Sequence, residues 1–524
     1  MSGTPVSSEQ NGTSAVDASA GGVTASRGAS AGGVTSARDG AATWVGVDVG
    51  TQSVRVQLLD ERGRPVGSGA APLRSRRGPG RRHEQEPADW WAATVAALAA
   101  AGGAPALRAV RALAICSTSG TILLTDPAGR ALTPGVMYDD DRGAAHAERV
   151  ADVGRELWAE LGLRMQASWA LPKLLTLLDA PPAGELRLMH SADYLASRLA
   201  GTPTATDPSH ALKSGYDALR QRWPVELLER LGVPATLLPP VVAAGTPIGS
   251  VCAEAAAASG LPAGAAIVAG MTDGCAGQIA AGALAPGQGV SVLGTTLVLK
   301  GVSRELLKDP HGAVYSHRSP DGDWLPGGAS NVGAGILSAR FPDRDLAALD
   351  AAAAAREPAG QLVYPLTARG ERFPFYDPQA EAFALGEPRD EADAFAALLQ
   401  GVAFVERIGV AALAALGAPL DGPLALTGGA SRSRYWCQLR ADVLRRPVEL
   451  PRHPEGAHGM ALLAASSERS SLRATAAELL PPPTRIEPRP DGVERLAPAF
   501  DRFAAALAER GWIAPDLAAA AAHA

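Results

Sequence analysis

Short apolar runs broken by glycine-rich turns recur along the chain, a pattern of buried strands separated by tight connections. Trp44–Thr51 (W-V-G-V-D-V-G-T) reads as a strand ending on a glycine-threonine turn, with Val54–Asp60 as the return strand and Pro65–Ala70 as a third. Val110–Cys116 is a buried strand opening into the small polar turn Ser117–Thr121, followed by the strand Ile122–Thr125. Ala265–Ala269 and Gly289–Val298 supply further strands, and Leu424 begins another that runs into Gly428 and Gly429. Helical patterns cover Ala144–Leu161, Leu171–Leu178, Cys275–Leu284, Leu346–Ala355, Ala392–Leu416 and Gly456–Ala465, with a last one near Ala497–Gly511. A further helix is expected to begin at Pro87, and Asp139–Asp141 with Arg142 reads as a helix start.

The chemistry concentrates in Gly270–Lys300. Asp273 stands on the turn between a strand and a small-residue helix, where a carboxylate serves either as a general base or as a helix cap. Gly294, Thr295 and Thr296 form a turn whose N–H and O–H groups can wrap a phosphate. The first hairpin repeats this plan with Gly50 and Thr51, and carries Asp48 just before its turn. Two such hairpins facing one another would clamp a polyphosphate, with Asp48 ordering Mg²⁺ and its waters. The Gly428-Gly429 pair lets backbone approach a flat ring closely. The chain has no Gly-x-x-x-x-Gly-Lys-Ser/Thr run, which excludes a P-loop.

This order of parts resembles the FGGY carbohydrate kinases over Trp44 to about Ala465. The motifs are the D-x-G-T turn at Asp48–Thr51, T-D-G-C-A-G-Q-I-A-A-G-A at Thr272–Ala283, L-G-T-T at Leu293–Thr296 and G-G-A-S followed by W-C-Q-L-R-A-D-V-L within Gly428–Leu444. Within the family the chain is most similar to the cyanobacterial and plant D-ribulose kinases, through Ala211–Tyr216, Val314–Arg318, Trp324–Asn331 and Tyr364–Pro374.

The resemblance implies an α/β fold of two actin-like (ribonuclease H-like) lobes closing on a central cleft. It places a sugar-binding lobe at 44–285, a nucleotide-binding lobe at 286–470 and a linker with a terminal helix at 471–524. It implies transfer from ATP·Mg²⁺ to the terminal hydroxyl of a free ketopentose, D-ribulose first, with Asp273 as general base. Asp48, Gln52, Ser53, Val54, Arg55, Ser119 and Asp273 would hold the sugar. The nucleotide would lie on Gly50, Thr51, Gly294, Thr295, Thr296, Gly428, Gly429, Ala430 and Ser433, and the metal by Asp48 and Asp273. Thr118-Ser119 stands where bacterial xylulokinases carry Met-His, which argues against a D-xylulose kinase proper. Two departures from the pattern are Ala430, where a third glycine is usual, and Gln52, where the D-ribulose kinases often carry serine. D-xylulose, another ketose or a polyol stays open as the acceptor, as does a silent nucleotide-binding scaffold or sensor. A homodimer is compatible with the resemblance.

Composition narrows the setting. The chain has 524 residues, is 47% hydrophobic and 19% charged, and carries a net charge of −6, which favours neither nucleic acid nor an anionic membrane. Four scattered cysteines, Cys116, Cys252, Cys275 and Cys437, form no metal-ligand pattern and fit thiols in a reducing cytoplasm. Residues 1–43 are rich in Gly, Ala, Ser and Thr and are expected to be disordered, without the features of a secretory signal. No apolar run approaches the ~18 residues a membrane span needs. Glu84 and Gln85 either belong to a solvated loop or reach the sugar. His210 and Lys213 either fix their loop or shape the sugar pocket. His317 reads as a satisfied strand histidine rather than a catalytic one, since one base suffices and Asp273 supplies it, and Lys173 reads as structural.

Overall fold

The computed structural model describes residues 42–102 and 104–523. The segment expected to be disordered lies outside the described residues except for its end, where Ala42 is buried and Thr43 opens the first strand.

The first sheet contains β1 (Thr43–Val49), β2 (Ser53–Asp60), β3 (Pro65–Pro72), β4 (Val110–Ser117), β5 (Pro247–Ser250) and β6 (Ala266–Val268), in the spatial order β5-β6-β4-β1-β2-β3. β1 and β2 form the hairpin, while β1, β4 and β6 run parallel. Every residue of β1 is buried, which fits its mostly apolar sequence between two covered faces, with Asp48 the one charged exception.

The second sheet repeats the plan with β7 (Gly289–Leu293), β8 (Leu297–Gly301), β9 (Val314–Arg318), β10 (Trp324–Ala329), β11 (Leu424–Thr427), β12 (Val448–Leu450) and β13 (Thr484–Ile486). Its order is β9-β10-β8-β7-β11-β12-β13, with β7 and β8 as a hairpin and β7, β11 and β12 parallel. Each lobe is therefore a hairpin followed by two parallel strands.

In each lobe the second of those parallel strands leads into a helix. β6 leads to α1 (Asp273–Ala280), and β12 leads to α4 (Gly456–Ser466). α4 belongs to the second lobe by sequence but packs on the first: Met460–Ala465 share a core with Trp44, Leu59, Ala112 and Ala114. α1 and α4 touch through Gly459, where a Cβ would overlap the Ala276 carbonyl oxygen. The two halves are thus joined by the helices that leave corresponding strands.

The second lobe is built around α2 (Glu391–Ala415), among the described residues the one helix long and apolar enough to cross a membrane. Its apolar window is wholly buried inside the protein. It also carries Glu406, which receives Arg440 of α3 (Arg434–Leu444) at 2.6 and 2.7 Å. Both side chains are fully buried, and Arg440 also donates to the Ser291 hydroxyl of β7 at 2.7 Å. Such a buried pair relies on these hydrogen bonds to offset its desolvation.

Several local expectations are corrected. The helix expected over Ala144–Leu161 breaks at Gly154 into Ala144–Val153 and Arg155–Glu160. There the Trp158 indole packs on the glycine and donates to the Val150 carbonyl at 2.8 Å. Asp140 does not start a helix; it is buried, and accepts from the His83 amide at 2.7 Å and from Arg142. The alanine-rich tail forms a further helix, Pro515–His523. Arg407 of α2 donates to the Ala521 and Ala522 carbonyls near its end, so alanine's helix propensity is combined with a partner for the terminal carbonyls.

Candidate active site

Parallel strands end on the same edge of a sheet, and that edge gathers the polar residues of the first lobe. Asp48 is the penultimate residue of β1, Ser117 is the last of β4, and Thr272 beyond β6 pairs with Ser117 in a parallel bridge. Asp273 follows at once as the first residue of α1.

Asp48 is buried, and its pKa is raised to about 6. Burial is the main cause and the charge of Asp273 adds to it, against the opposing pull of Arg55 and Cys116. Arg55 lies 3.6 Å away and the Cys116 thiol 3.5 Å away. The N-terminal end of α4 also comes close, since a Cβ on Gly456 would lie 3.3 Å from the Asp48 carboxyl. Asp273 is open to solvent on one side, yet enough protein surrounds it that desolvation raises its pKa. The Gly274 amide, Lys213, His210 and Lys300 pull the other way. Asp48 and Asp273 are thus two carboxylates at one sheet edge, both shifted upward, a pattern that marks a candidate site.

The supporting residues are tied to their own lobe. Asp207 caps its short helix and pairs with His210 Nδ1, while His210 Nε2 lies 2.9 Å from the Ser117 hydroxyl. Burial would lower the His210 pKa, but Asp207 and its neighbours raise it. Ser209 receives the Thr272 amide at 2.9 Å, so this loop braces the residue before Asp273. Lys173 is fully buried, donates to the Gly120 and Met137 carbonyls at 2.8 and 2.7 Å, and is pushed down to about 7 by burial. Lys213 Nζ lies 3.3 Å from the Ser119 carbonyl and over the Trp169 and Tyr315 rings. The Ser119 hydroxyl is buried without a hydrogen-bond partner.

Gln85 and Glu84 both have protein partners. Gln85 donates to the Thr51 carbonyl at 2.7 Å and accepts from the buried Trp90 indole, which fixes the first glycine-threonine turn. Glu84 receives Arg142 at 2.8 Å. Among the other sugar candidates, Gln52 and Arg55 are exposed and Ser53 is half-buried, whereas the Val54 side chain is wholly in the core. Val54 therefore has only its backbone to offer a ligand.

On the second lobe the Gly294–Thr296 turn closes with a Gly294 amide to Thr296 carbonyl bond of 3.1 Å. No atom lies within 4 Å of where a Cβ on Gly294 would stand, which leaves that face of the turn open; Gly50 of the first hairpin meets only the Ser53 carbonyl, at 3.3 Å. Gly428 has φ +87°, and a Cβ there would collide with the Leu293 carbonyl, so the Gly428-Gly429 turn sits directly beside the Gly294–Thr296 turn. Ala430 turns its methyl into the core, so the missing third glycine does not crowd the cleft. The Ser433 hydroxyl accepts from the Trp436 amide at 2.9 Å and donates to Asp350 at 2.7 Å, so it is committed to the protein.

Among the described residues no three His, Cys, Asp or Glu side chains form a metal cage. Mg²⁺ held through one or two carboxylates and substrate phosphates needs none, and Asp48 with Asp273 fits that donor set.

Residues 43–280 match the N-terminal domain, and residues 289–468 the C-terminal domain, of the FGGY family of carbohydrate kinases. A xylulose kinase of Streptomyces coelicolor is 31% identical over 425 residues, covering 78% of this chain and 84% of that one. The chain belongs to the FGGY family. It is a carbohydrate kinase with the two-domain α/β fold of that family. A xylulose kinase of Klebsiella pneumoniae is 29% identical over 477 residues, covering 88% of this kinase and 98% of its relative. The crystal structure of a xylulose kinase from Rhodospirillum rubrum superposes with a TM-score of 0.79 at 26% identity, covering 89% of this kinase and 98% of that chain. Plasmodium falciparum glycerol kinase with ADP superposes at 0.77 with 17% identity, a likeness of fold.

Three residues at the cleft were not identified by the motifs. Lys300 stands in an apolar strand, where a lysine is unusual enough to be a signal in itself. Cys116 and Gly456 carried no local signal, because their role depends on β4 and α4 meeting Asp48.

Proposed function

We propose that this kinase transfers the γ-phosphoryl group of ATP to the terminal hydroxyl of a free ketopentose, with Asp273 as general base. The observation that carries the proposal is the pair Asp48 and Asp273, both raised in pKa, at the carboxyl edge of the first sheet. An exposed helix-capping aspartate with several N–H donors would have a lowered pKa instead. In the proposed step the sugar oxygen attacks phosphorus, Asp273 takes its proton, and the bond to the bridging oxygen breaks to release ADP. The phosphates would rest on the Gly50-Thr51 and Gly294–Thr296 turns, and the adenosine beside Gly428, Gly429 and Ala430. Asp48 and Asp273 would hold Mg²⁺, which neutralises phosphate charge. Ser433 would act by capping α3 rather than by touching the nucleotide. The setting we infer is the cytoplasm.

D-ribulose is the proposed acceptor, supported by Thr118-Ser119 at the acceptor turn and by the unpartnered Ser119 hydroxyl. A second reading, D-xylulose, is favoured by the relatives named xylulose kinase. Steady-state kinetics with ATP·Mg²⁺ on both ketoses separates the two. The first reading expects the higher kcat/KM for D-ribulose. A tenfold advantage for D-xylulose, about 1.4 kcal/mol in transition-state binding, would overturn it.

A further inference from the structure

Lys300 lies on β8 of the second lobe, and its side chain reaches the start of α1, the helix that carries Asp273. The residue is 5% exposed. Among the described residues its ammonium has one hydrogen-bond partner, the Cys275 thiol at 3.5 Å, and no carboxylate within ion-pair distance. It also lies 3.8 Å from the position of a Cβ on Gly274.

That placement is unfavourable three times over. Burial penalises an ammonium, a thiol is a poor acceptor for it, and the N-terminal end of a helix carries partial positive charge. Ammonium and helix end together make a positive pocket directly beside Asp273. A site that holds such charge with no protein carboxylate in ion-pair contact is suited to an anion supplied by a ligand. Gln278 of α1 donates to the Gly301 carbonyl at 3.0 Å, which fixes the strand bearing Lys300 against the helix bearing Asp273.

We infer that Lys300 is a further catalytic residue, whose ammonium contacts the phosphoryl group as it passes from ATP to the sugar. This rests on the reading that Asp273 marks the reacting end of the cleft. The lysine gives charge only. The oxygen–phosphorus bond to the sugar forms, the bond to the ADP oxygen breaks and its electron pair leaves with ADP, and the proton goes to Asp273. Because the ammonium comes from the second lobe and the acid from the first, this contact would make transfer depend on both lobes.

The test is Lys300→Met, run beside Asp273→Asn, with kcat, both KM values and the melting temperature measured. Removing one donor to a charged transition state lowers kcat roughly 10²–10³-fold. The expected result is a kcat loss of at least tenfold, KM values within a few-fold, and a melting temperature equal to or above that of the parent protein. A kcat loss of less than tenfold would overturn the inference. So would a loss accompanied by a lower melting temperature, because the lysine would then be bracing the lobes. If Lys300→Met does not fold, Lys300→Gln is read in the same way, and failure of both to fold also counts against the inference. An Asp273→Asn enzyme that stays active shows that the base assignment has failed, whatever Lys300→Met does.

Discussion

Asp207 and His210 show how a residue that looks like a loop fixture can shape the site. The sequence left open whether His210 braces its loop or touches sugar; the structure buries it between Asp207 and Ser117, one link from the Thr272 amide. That could not be read from the chain, because Ser117 lies 93 residues from His210, and Thr272 lies 63 from Ser209, which receives its amide. Val54 is the opposite case: its family position placed it at the sugar, but its side chain lies in the core, as its place in an apolar strand already indicated. Because the His210 pKa is raised on folding, its protonation stabilises the fold fully below about pH 6.5, and that contribution is lost as pH rises through the folded value. His210→Gln should be about 3–5 kcal/mol less stable near pH 6, as expected when one member of a buried pair is removed, and should show a flatter pH profile. Urea unfolding at several pH values checks this; parallel profiles for the two proteins would contradict it.

At the level of elements, both glycine-threonine hairpins and the strand–acid–helix unit were evident from local pattern alone. What the pattern did not give was the partner of each element. α4 reads as a small-residue helix, and the reason for its small residues appears only when it packs on β1 and α1. By helix propensity Gly459→Ala should gain about 1 kcal/mol. By packing it should lose about 1–3 kcal/mol or more, because the added methyl meets backbone. The packing effect should win, lowering the melting temperature and also kcat, since the helix pushed aside carries Asp273. Gly277→Ala in α1, where no atom lies within 4 Å of the new Cβ, should hold or raise the melting temperature. Equal thermal shifts for the two variants would count against the crossing as the controlling contact.

On the scale of the molecule, two halves share one plan, each with a glycine-threonine hairpin, and the proposed phosphate turns come from both while the acids come from one. The first lobe holds Asp48 and Asp273 at its sheet edge, and the second brings the Gly294–Thr296 turn and Gly428 to neighbouring strand ends. A sugar hydroxyl is a poor nucleophile at neutral pH, and a positioned base supplies roughly 10²–10⁴ in rate. Asparagine keeps the shape of aspartate and caps a helix nearly as well, but takes no proton. The most direct measurement is therefore the kcat of Asp273→Asn with ATP·Mg²⁺ and ketopentose, taken with its melting temperature. The account predicts a loss of roughly 10²-fold or more at an unchanged melting temperature; a variant retaining more than about a tenth of the parent kcat would contradict it.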